Sequence, residues 1–331
     1  MKETINAVVC ERHGIPVEVL RVKEQPWPQA GADEAVVQMR AAPINPADLN
    51  MIEGKYPIRP PLPATPGMEG TGTIVEVGSK VQAVKAGDAV ILPHNLGTWR
   101  EALAARADTL VVVPSEIDPV QAAMLKINPL TAWRLLNGYV ALRPGDWVIQ
   151  NAANSAAGRA VIQIARELGF QTVNVVRRAE LIPELEAEGG NVVLVDGENL
   201  RDEVKAATGG APISLGLNAV GGDSALRLAH TLAPDATMVT YGAMSLQPLR
   251  IPNGLLIFKN LNFRGLWINK WYDHATAAER MEAFTRLFDL ARRGLLRTKV
   301  EKSYSIAEVI TAVTHASAGM RGGKIVFEFE R

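Results

Sequence analysis

The sequence predicts an α/β protein of two domains, one of them built on a doubly wound parallel sheet. Three observations lead to this fold class. The chain has 331 residues, which is more than a single hydrophobic core usually supports. Residues 1–120 carry short alternating runs separated by Gly, Pro and Asp turns, a pattern typical of a compact β-barrel-like domain. From residue 121 onward, strand and helix patterns alternate, as in a parallel sheet covered by helices.

The individual elements follow from local periodicity. In the first part of the chain, strands are predicted at residues 5–10, 35–39, 72–78 and 88–92. In the second part, they are predicted at residues 148–149, 172–176, 192–195, 215–219 and 238–241. Helices are predicted over residues 121–136 and 277–293, and a last strand over residues 324–329. Periodicity alone leaves open which domain this last strand joins.

Composition excludes several classes of function. Thirty-five basic residues balance thirty-five acidic ones, so no net positive charge attracts nucleic acid or an acidic membrane surface. No window approaches 18 uninterrupted apolar residues, and no signal or transit pattern is recognisable, so we expect a cytoplasmic protein without a membrane partner. The single cysteine, Cys10, excludes an intramolecular disulfide and any zinc site made of several thiolates.

Residues 147–178 are the most informative stretch of the chain. They read as a strand, a small-residue turn, an amphipathic helix, a second strand and then Arg177 and Arg178. A parallel βαβ unit places its first turn against the pyrophosphate of a dinucleotide, and the end of its second strand faces the adenosine ribose. The two arginines supply positive charge for a 2′-phosphate, which predicts NADPH as the cofactor.

The turn itself departs from a standard phosphate loop. Of the three glycines expected there, only Gly158 is present in the run Asn154-Ser155-Ala156-Ala157-Gly158-Arg159. The alternative is an ordinary structural βαβ unit with a coincidental small-residue turn. The paired arginines, about 20 residues after the turn, make this alternative less favourable.

Several runs resemble a known family. Residues 45–48 and 67–72 resemble the medium-chain dehydrogenase/reductase superfamily. Within it, residues 49–57, 96–101, 127–136 and 255–271 are similar to the zinc-free 2-enoyl thioester reductases, the trans-2-enoyl-CoA/ACP reductases. The resemblance implies a GroES-like β-barrel catalytic domain from residues 1–120 and 267–331, and a Rossmann-type NADPH-binding domain from residues 121–266. It also implies a homodimer that reduces the C2–C3 double bond of a trans-2-enoyl thioester, carried by CoA or acyl carrier protein, in fatty acid synthesis.

The resemblance also indicates how the reaction proceeds without zinc. Relatives that oxidise alcohols hold zinc through a histidine where this chain has Met68, between Gly67 and Glu69, so we expect no metal. A thioester carbonyl already polarises the neighbouring alkene. Tyr56 occupies the position of the family's catalytic tyrosine, and a phenol with a pKa of about 10 can donate a hydrogen bond or a proton at neutral pH.

Position by position, the resemblance assigns cofactor contacts to a larger set of residues. These are Asn128, Asn154, Ser155, Ala156, Ala157, Arg177, Arg178, Tyr241, Gly242, Ala243, Met244, Leu266, Trp267, Ile268 and Lys324. For two of them a structural interpretation competes: Trp267 as a plain core aromatic, and Lys324 as a solvated lysine at a strand end.

Two other functions stay open at this point. An NADPH-dependent quinone reductase would share the cofactor turn but not the runs at residues 49–57, 96–101 and 255–271. A cofactor-holding protein without catalytic activity is the second, and the presence of Tyr56 and both arginines argues against it. The length of the acyl chain and the choice between CoA and acyl carrier protein are not determined by the sequence.

Overall fold

The computed structural model of the protein describes residues 3–319 and 321–330. Its strands are, in chain order, β1 (Thr4–Cys10), β2 (Leu20–Pro26), β3 (Glu34–Pro43), β4 (Thr71–Val77), β5 (Ala89–Ile91), β6 (Ala102–Arg106), β7 (Val111–Val112), β8 (Trp147–Gln150), β9 (Gln171–Val176), β10 (Val192–Val195), β11 (Ile213–Asn218), β12 (Thr237–Thr240), β13 (Asn262–Gly265), β14 (Val300–Tyr304) and β15 (Lys324–Glu328).

The helices alternate with the later strands. They are α1 (Pro16–Val19), α2 (Pro46–Ile52), α3 (Pro119–Ala123), α4 (Asn128–Asn137), α5 (Ala156–Leu168), α6 (Ile182–Ala187), α7 (Leu200–Ala207), α8 (Gly222–Thr231), α9 (Asn253–Ile257), α10 (Ile268–His274), α11 (Ala277–Arg292) and α12 (Val309–Ser317). Short 3-10 turns cover Ala107–Thr109, Ala179–Leu181 and Ile306–Glu308. Every helix within the described ranges is too short or too polar to cross a lipid bilayer.

The chain divides into two compact units, residues 1–127 with 297–331, and residues 128–296. The sequence placed the second boundary at residue 267, thirty residues earlier. The difference lies in α10 and α11, which pack inside the second unit: the Arg134 guanidinium of α4 lies 4.8 Å from the Trp271 ring centroid, and Arg293 pairs with Glu167 of α5 at 3.0 Å.

The first unit is built on a seven-stranded sheet. Its main path runs β14-β15-β3-β4-β5-β7, with β6 paired to β3, and a separate β1–β2 hairpin accompanies it. The last strand, β15, pairs antiparallel with β3 and parallel with β14, which answers the question that periodicity left open. Trp99 and Phe327 meet edge to face in the core, with ring centroids 5.2 Å apart.

The second unit is the predicted doubly wound sheet. Six parallel strands run in the order β10-β9-β8-β11-β12-β13, so the order reverses between β8 and β11. Loops at such a switch point, at the carboxyl ends of the strands, bind ligands in open α/β sheets. β13 was not predicted, because its pattern is short and largely exposed.

The predicted helix over residues 121–136 is two helices, α3 and α4, with a break at residues 124–127. Pro129 lies at the second position of α4, where its missing N–H costs no helical hydrogen bond. The predicted helix over residues 277–293 is confirmed as α11, which Thr276 and Glu279 cap reciprocally.

Candidate active site

The turn between β8 and α5 has the geometry of an anion-binding helix start. Ser155 is the N-cap of α5, and its hydroxyl accepts a hydrogen bond from the Gly158 backbone N–H at 3.1 Å. Ala156 and Ala157 form the first helical turn, whose N–H groups have no partner inside the helix. The partial positive charge at the start of this 13-residue helix favours a phosphate. The predicted residues 154–157 therefore lie together in one turn.

At Gly158 the turn has no room for a side chain. A Cβ atom there would lie 2.6 Å from the carbonyl oxygen of Ala153 and 2.7 Å from that of Ala152. Both atoms are backbone, so they cannot move aside as a flexible side chain would. This glycine lets α5 approach the sheet closely.

The arginine pair lies directly after the end of β9. Arg177 is exposed, and Arg178 is half-buried and pairs with Glu180 at 3.4 Å. Both belong to the same unit as the turn, and β8 and β9 are neighbours in the sheet. Positive charge at this strand end is what a 2′-phosphate requires.

The segment after β12 places four predicted residues at the carboxyl end of the sheet. The backbone N–H of Tyr241 donates to the carbonyl oxygen of Asn218 at 2.9 Å, and that of Met244 to Ala219 at 3.0 Å. Gly242 approaches Ala219 so closely that a Cβ would lie 2.8 Å from its carbonyl oxygen. Burial raises the pKa of Tyr241, and the Ser155 hydroxyl offsets part of this effect. The predicted Ala243 lies exposed between Gly242 and Met244.

Two further predicted segments flank the sheet in this unit. Leu266 follows β13 and donates its N–H to the carbonyl oxygen of Thr240 at 3.0 Å. Trp267 is 40% exposed at the start of α10, so it is not a core aromatic, and Ile268 follows it as the first residue of that helix. Asn128 is half-buried at the first position of α4.

The sequence did not single out a buried amide network at the ends of β8 and β11. The Asn151 side-chain nitrogen donates to Asn218 Oδ1 at 2.9 Å and to Ser224 Oγ at 3.1 Å. Asn218 Oδ1 also accepts the backbone N–H of Gly221 at 3.0 Å. These bonds fix the loops that begin at the carboxyl ends of the strands. The available signal was an asparagine directly after, or at the end of, an apolar strand.

Tyr56 lies in the first unit, on the loop that follows α2. Its backbone N–H donates to the carbonyl oxygen of Asn50 at 3.1 Å, and that of Lys55 donates to the same oxygen at 2.8 Å. Gly54 has a φ of 73°, a conformation that glycine adopts without a steric penalty. The loop therefore presents a half-buried Tyr56 from a defined backbone.

Lys324 lies in a buried group of charged residues in the first unit, here named the ionic cluster: Asp48, Glu69, Lys126 and Lys324. The Lys324 ammonium donates to the carbonyl oxygen of Ile44 at 3.1 Å and to Asn45 Oδ1. This lysine is 7% exposed, so its interpretation as a solvated strand-end residue is wrong. Its contact with the cofactor stays a prediction.

Hydrogen bonds connect the ionic cluster to three segments of the first unit. Glu69 Oε1 accepts from the Asn45 amide at 2.8 Å, and its Oε2 accepts from the Ile127 backbone N–H at 2.9 Å. Lys126 donates to the carbonyl oxygen of Met68 at 3.2 Å. The cluster thus ties the start of α2 to residues 67–70 and to the end of the α3 segment.

Burial dominates the acid–base properties of the ionic cluster. It raises the pKa of Asp48 to about 7 and lowers the pKa of Lys324 to about 8, because each charged form loses hydration. Burial likewise raises the pKa of Glu69, while Lys324 and the Asn45 hydrogen bond act in the opposite direction. The charges inside the unit therefore depend on pH near neutrality.

Met68 is buried at the position where zinc-dependent relatives place a histidine, with 2% of its surface exposed. Among the described residues, no three His, Cys, Asp or Glu side chains gather as metal ligands. A thioether is a weak ligand for zinc. The absence of zinc stays a prediction that rests on Met68.

Two domain families match the chain, each within one part of it. The alcohol dehydrogenase GroES-like domain family matches residues 31–115, and the zinc-binding dehydrogenase family matches residues 156–283. Together with the mixed sheet and the doubly wound sheet described above, these matches confirm the predicted fold class.

A relative that matches most of the chain identifies the family within the superfamily. The mitochondrial enoyl-(acyl-carrier-protein) reductase of Xenopus tropicalis is 43% identical over 298 residues, which are 87% of this chain and 85% of the relative. The relatives from mouse, human and Dictyostelium discoideum carry the same mitochondrial name. The predicted cytoplasmic location is therefore wrong by this comparison, because it rested only on the lack of a recognisable targeting pattern.

Solved structures match 98–99% of the chain. Etr1p in complex with NADP and crotonyl-CoA gives a TM-score of 0.89 at 28% identity, over 98% of this chain and 100% of that one. The Etr1p/Etr2p 2-enoyl thioester reductase heterodimer from Candida tropicalis gives 0.89 at 29% identity, with the same coverage. A protein from Bacillus thuringiensis with the provisional name NADPH:quinone reductase gives 0.92 at 30% identity, over 99% and 100%. On the evidence of the sequence relatives, the chain belongs to the enoyl-(acyl-carrier-protein) reductase family of the medium-chain dehydrogenase/reductase superfamily.

Proposed function

We propose that the protein uses NADPH to reduce the C2–C3 double bond of trans-2-enoyl thioesters in fatty acid synthesis. The observation that carries the proposal is its 43% identity, over 87% of the chain, to an enoyl-(acyl-carrier-protein) reductase. The presence of the phosphate turn, the arginine pair and the Tyr56 loop in the structure supports it. The same fold binds NADP and crotonyl-CoA in Etr1p.

The second unit has the features that NADPH requires. The start of α5 offers backbone N–H groups and a partial positive charge for the pyrophosphate. Gly158 allows the close approach of helix and strand, and Arg177 is exposed where the 2′-phosphate is expected. NADPH, when bound, supplies the hydride for C3 of the substrate.

The chain's own residues then have separate tasks. Hydride addition at C3 leaves negative charge on the thioester oxygen and on C2, and this charge has to be stabilised and protonated. Tyr56 is the group proposed to donate the hydrogen bond and the proton, because a phenol is ordinarily able to donate both at neutral pH. The Asn151–Asn218 network holds the loops at the carboxyl ends of β8 and β11 in place while the cofactor binds.

A substrate comparison tests the reaction class. Purified protein is assayed for NADPH oxidation at 340 nm with crotonyl-CoA and with a small quinone. We expect turnover of crotonyl-CoA with a kcat/KM at least about a hundredfold above that for the quinone, a difference of about 2.7 kcal/mol in the transition state. A preference for the quinone would instead support the second candidate, which the likeness to the Bacillus thuringiensis protein favours.

The same NADPH oxidation assay tests whether the Tyr56 hydroxyl takes part in the reaction. Replacing Tyr56 with phenylalanine removes one hydroxyl and keeps the ring, so we expect kcat to fall by a factor of about 10²–10⁴, the usual contribution of a positioned proton donor. The Kd for NADPH, measured by fluorescence, is expected to change little. Tyr139→Phe is the matched control, because the Tyr139 hydroxyl donates to the Gly265 carbonyl oxygen and Tyr139 is not among the predicted site residues. Unchanged turnover in the Tyr56 variant would remove this residue from the mechanism.

We further propose a homodimer that forms through the edge of the second unit's sheet. β13 is the last strand of the sheet, so one side of its backbone is open for pairing in the described structure. The same unit exposes large apolar side chains: Leu246 is 84% exposed, Ile257 69% and Phe258 85%. Large apolar side chains with this much exposure are common on association surfaces.

The thioester carrier is proposed to be CoA or acyl carrier protein. Zinc is proposed to be absent, because Met68 stands in place of the histidine ligand. Steady-state rates for enoyl-CoA substrates of increasing chain length, compared with the same acyl groups on a carrier protein, test the carrier. A metal analysis of the purified protein tests the zinc proposal, and stoichiometric bound zinc would contradict it.

A further inference from the structure

Arg159 is a buried cation whose role the proposed reaction does not explain. It is the fourth residue of α5 and is only 8% exposed. Its guanidinium turns back along the helix: Nε donates to the carbonyl oxygen of Asn154 at 3.2 Å. One nitrogen pairs with Glu184 at 3.0 Å and another pairs with Glu188. The guanidinium is thus engaged by three protein groups and does not face a ligand directly.

These three partners belong to two different parts of the second unit. Asn154 lies in the pyrophosphate turn, whereas Glu184 and Glu188 lie on and at the end of α6. Because α6 begins four residues after Arg178, Arg159 connects the turn to the segment that carries the arginine pair. The residues that Arg159 joins on α6 lie 25 to 29 positions further along the chain, and its single side chain contacts them directly.

The position of α6 also determines the backbone near Arg178. The N–H of Leu181 donates to the carbonyl oxygen of Arg178 at 3.3 Å, inside the 3-10 turn that precedes α6. Leu185 of α6 is fully buried in a cluster with Ala153 and Ile162. Leu185 and Arg159 therefore hold α6 against the start of α5, one through apolar packing and the other through charge.

The charges of these side chains also indicate that Arg159 holds α6 in place. Without Arg159, Glu184 and Glu188 would lose the cation that attaches α6 to the turn. The positive charge of Arg159 balances one of the two negative charges, and its guanidinium nitrogens pair with both carboxylates. A buried guanidinium with several partners is also costly to remove, because the partners lose their compensation.

We propose that Arg159 is a positioning residue that couples the pyrophosphate turn to the arginine pair and thereby sets the preference for NADPH over NADH. This inference rests on the proposed function, which supplies NADPH as the cofactor. NADH lacks the 2′-phosphate, so its binding does not depend on the arginine pair. Displacing α6 therefore weakens NADPH binding more than NADH binding.

The test measures binding of both dinucleotides without any turnover. The Kd values of NADPH and NADH are determined by cofactor fluorescence for the unmodified protein and for Arg159→Gln. We expect the Kd for NADPH to rise about tenfold, which corresponds to about 1.4 kcal/mol, and the Kd for NADH to rise less than about threefold. The matched control is Lys205→Gln, which removes an exposed cation from α7 of the same unit. Both Kd values should stay unchanged there.

If Arg159→Gln does not fold, a second variant tests the same coupling. Glu184→Gln removes one of the two charge partners and leaves Arg159 paired with Glu188. It should change the ratio of the two Kd values in the same direction, by about threefold. Equal losses for both dinucleotides, or no loss in a folded variant, would overturn the inference. Equal affinities of the unmodified protein for NADPH and NADH would contradict the proposed cofactor. This outcome is distinct from those that would overturn the role of Arg159.

Discussion

Replacing Asp48 with asparagine is expected to remove a pH-dependent part of the folding free energy. Asp48 is 1% exposed, and its Oδ2 accepts the backbone N–H of Asn45 at 2.8 Å. Its Oδ1 is buried and has no hydrogen-bond partner among the described residues. Burial raises the pKa of this carboxyl from 3.8 to about 7, and the nearby Glu69 charge adds to the effect. Asparagine has a similar shape and stays uncharged at every pH in the range.

The sign of the effect follows from proton binding. Between pH 3.8 and about 7 the folded state keeps a proton on Asp48 that the unfolded state has released. The contribution of Asp48 to the free energy of unfolding is therefore fully present below pH 3.8, and it is lost as the pH rises through about 7. At about 1.36 kcal/mol per pH unit, the loss between pH 5.0 and pH 7.5 amounts to about 2.5 kcal/mol. This window lies below the pKa of Lys324, which is about 8.

Urea unfolding at pH 5.0 and pH 7.5 measures the difference directly. The free energy of unfolding of Asp48→Asn, relative to the unmodified protein, should rise by about 2.5 kcal/mol between these two pH values. The control is Asp118→Asn, because Asp118 is an exposed N-cap whose carboxylate accepts from Val120 and Gln121 at 3.0 Å. A relative stability of Asp48→Asn that changes by less than about 0.5 kcal/mol, as in the control, would refute the reasoning.

Three further predictions concern other parts of the molecule. Gly158→Ala should lower the free energy of unfolding by about 1–3 kcal/mol and weaken NADPH binding, since the added Cβ would lie 2.6 Å from the Ala153 carbonyl oxygen. Urea unfolding and cofactor fluorescence measure the two effects. Phe258→Asp should convert the proposed dimer into a monomer, as measured by light scattering after gel filtration, because an 85% exposed ring would be replaced by a charge. Lys324→Met should cost about 3–5 kcal/mol in urea unfolding at pH 7, because it leaves the carboxylates of the ionic cluster without this cation.

Each of these predictions has a contrasting outcome. Gly197→Ala, where nothing lies within 4 Å of the added Cβ, should change the stability little, and an equal loss there would contradict the steric argument. A dimeric Phe258→Asp would exclude this surface from the interface, whereas Met281→Asp, on the exposed side of α11, should stay dimeric. A Lys324→Met variant as stable as the unmodified protein would show that the cation contributes no net stabilisation.

Periodicity predicted the strands of the doubly wound sheet closely, because a buried parallel strand is a short, continuous apolar run rich in β-branched residues. Val192–Val195 was predicted and observed with the same bounds. The edge strand β13 was missed, since an exposed, partly charged segment gives no such pattern. The helix break at residues 124–127 was also missed, because the apolar pattern continues through it.

Of the candidate site, sequence motifs indicated the residues but not their partners. Ser155, Gly158 and the arginine pair were expected in one unit and lie there, because a βαβ unit is local in sequence. The partners of Lys324, by contrast, are about 280 positions away along the chain. No local pattern encodes a contact of that separation.

The amino-acid sequence by itself determined the fold class, the cofactor turn and the family, since these depend on local periodicity and on runs of adjacent residues. Only the tertiary structure decided that Lys324 belongs to the ionic cluster and that Arg159 joins the cofactor turn to α6. The physical reason is that buried charges need partners, and the fold brings those partners together from distant parts of the chain.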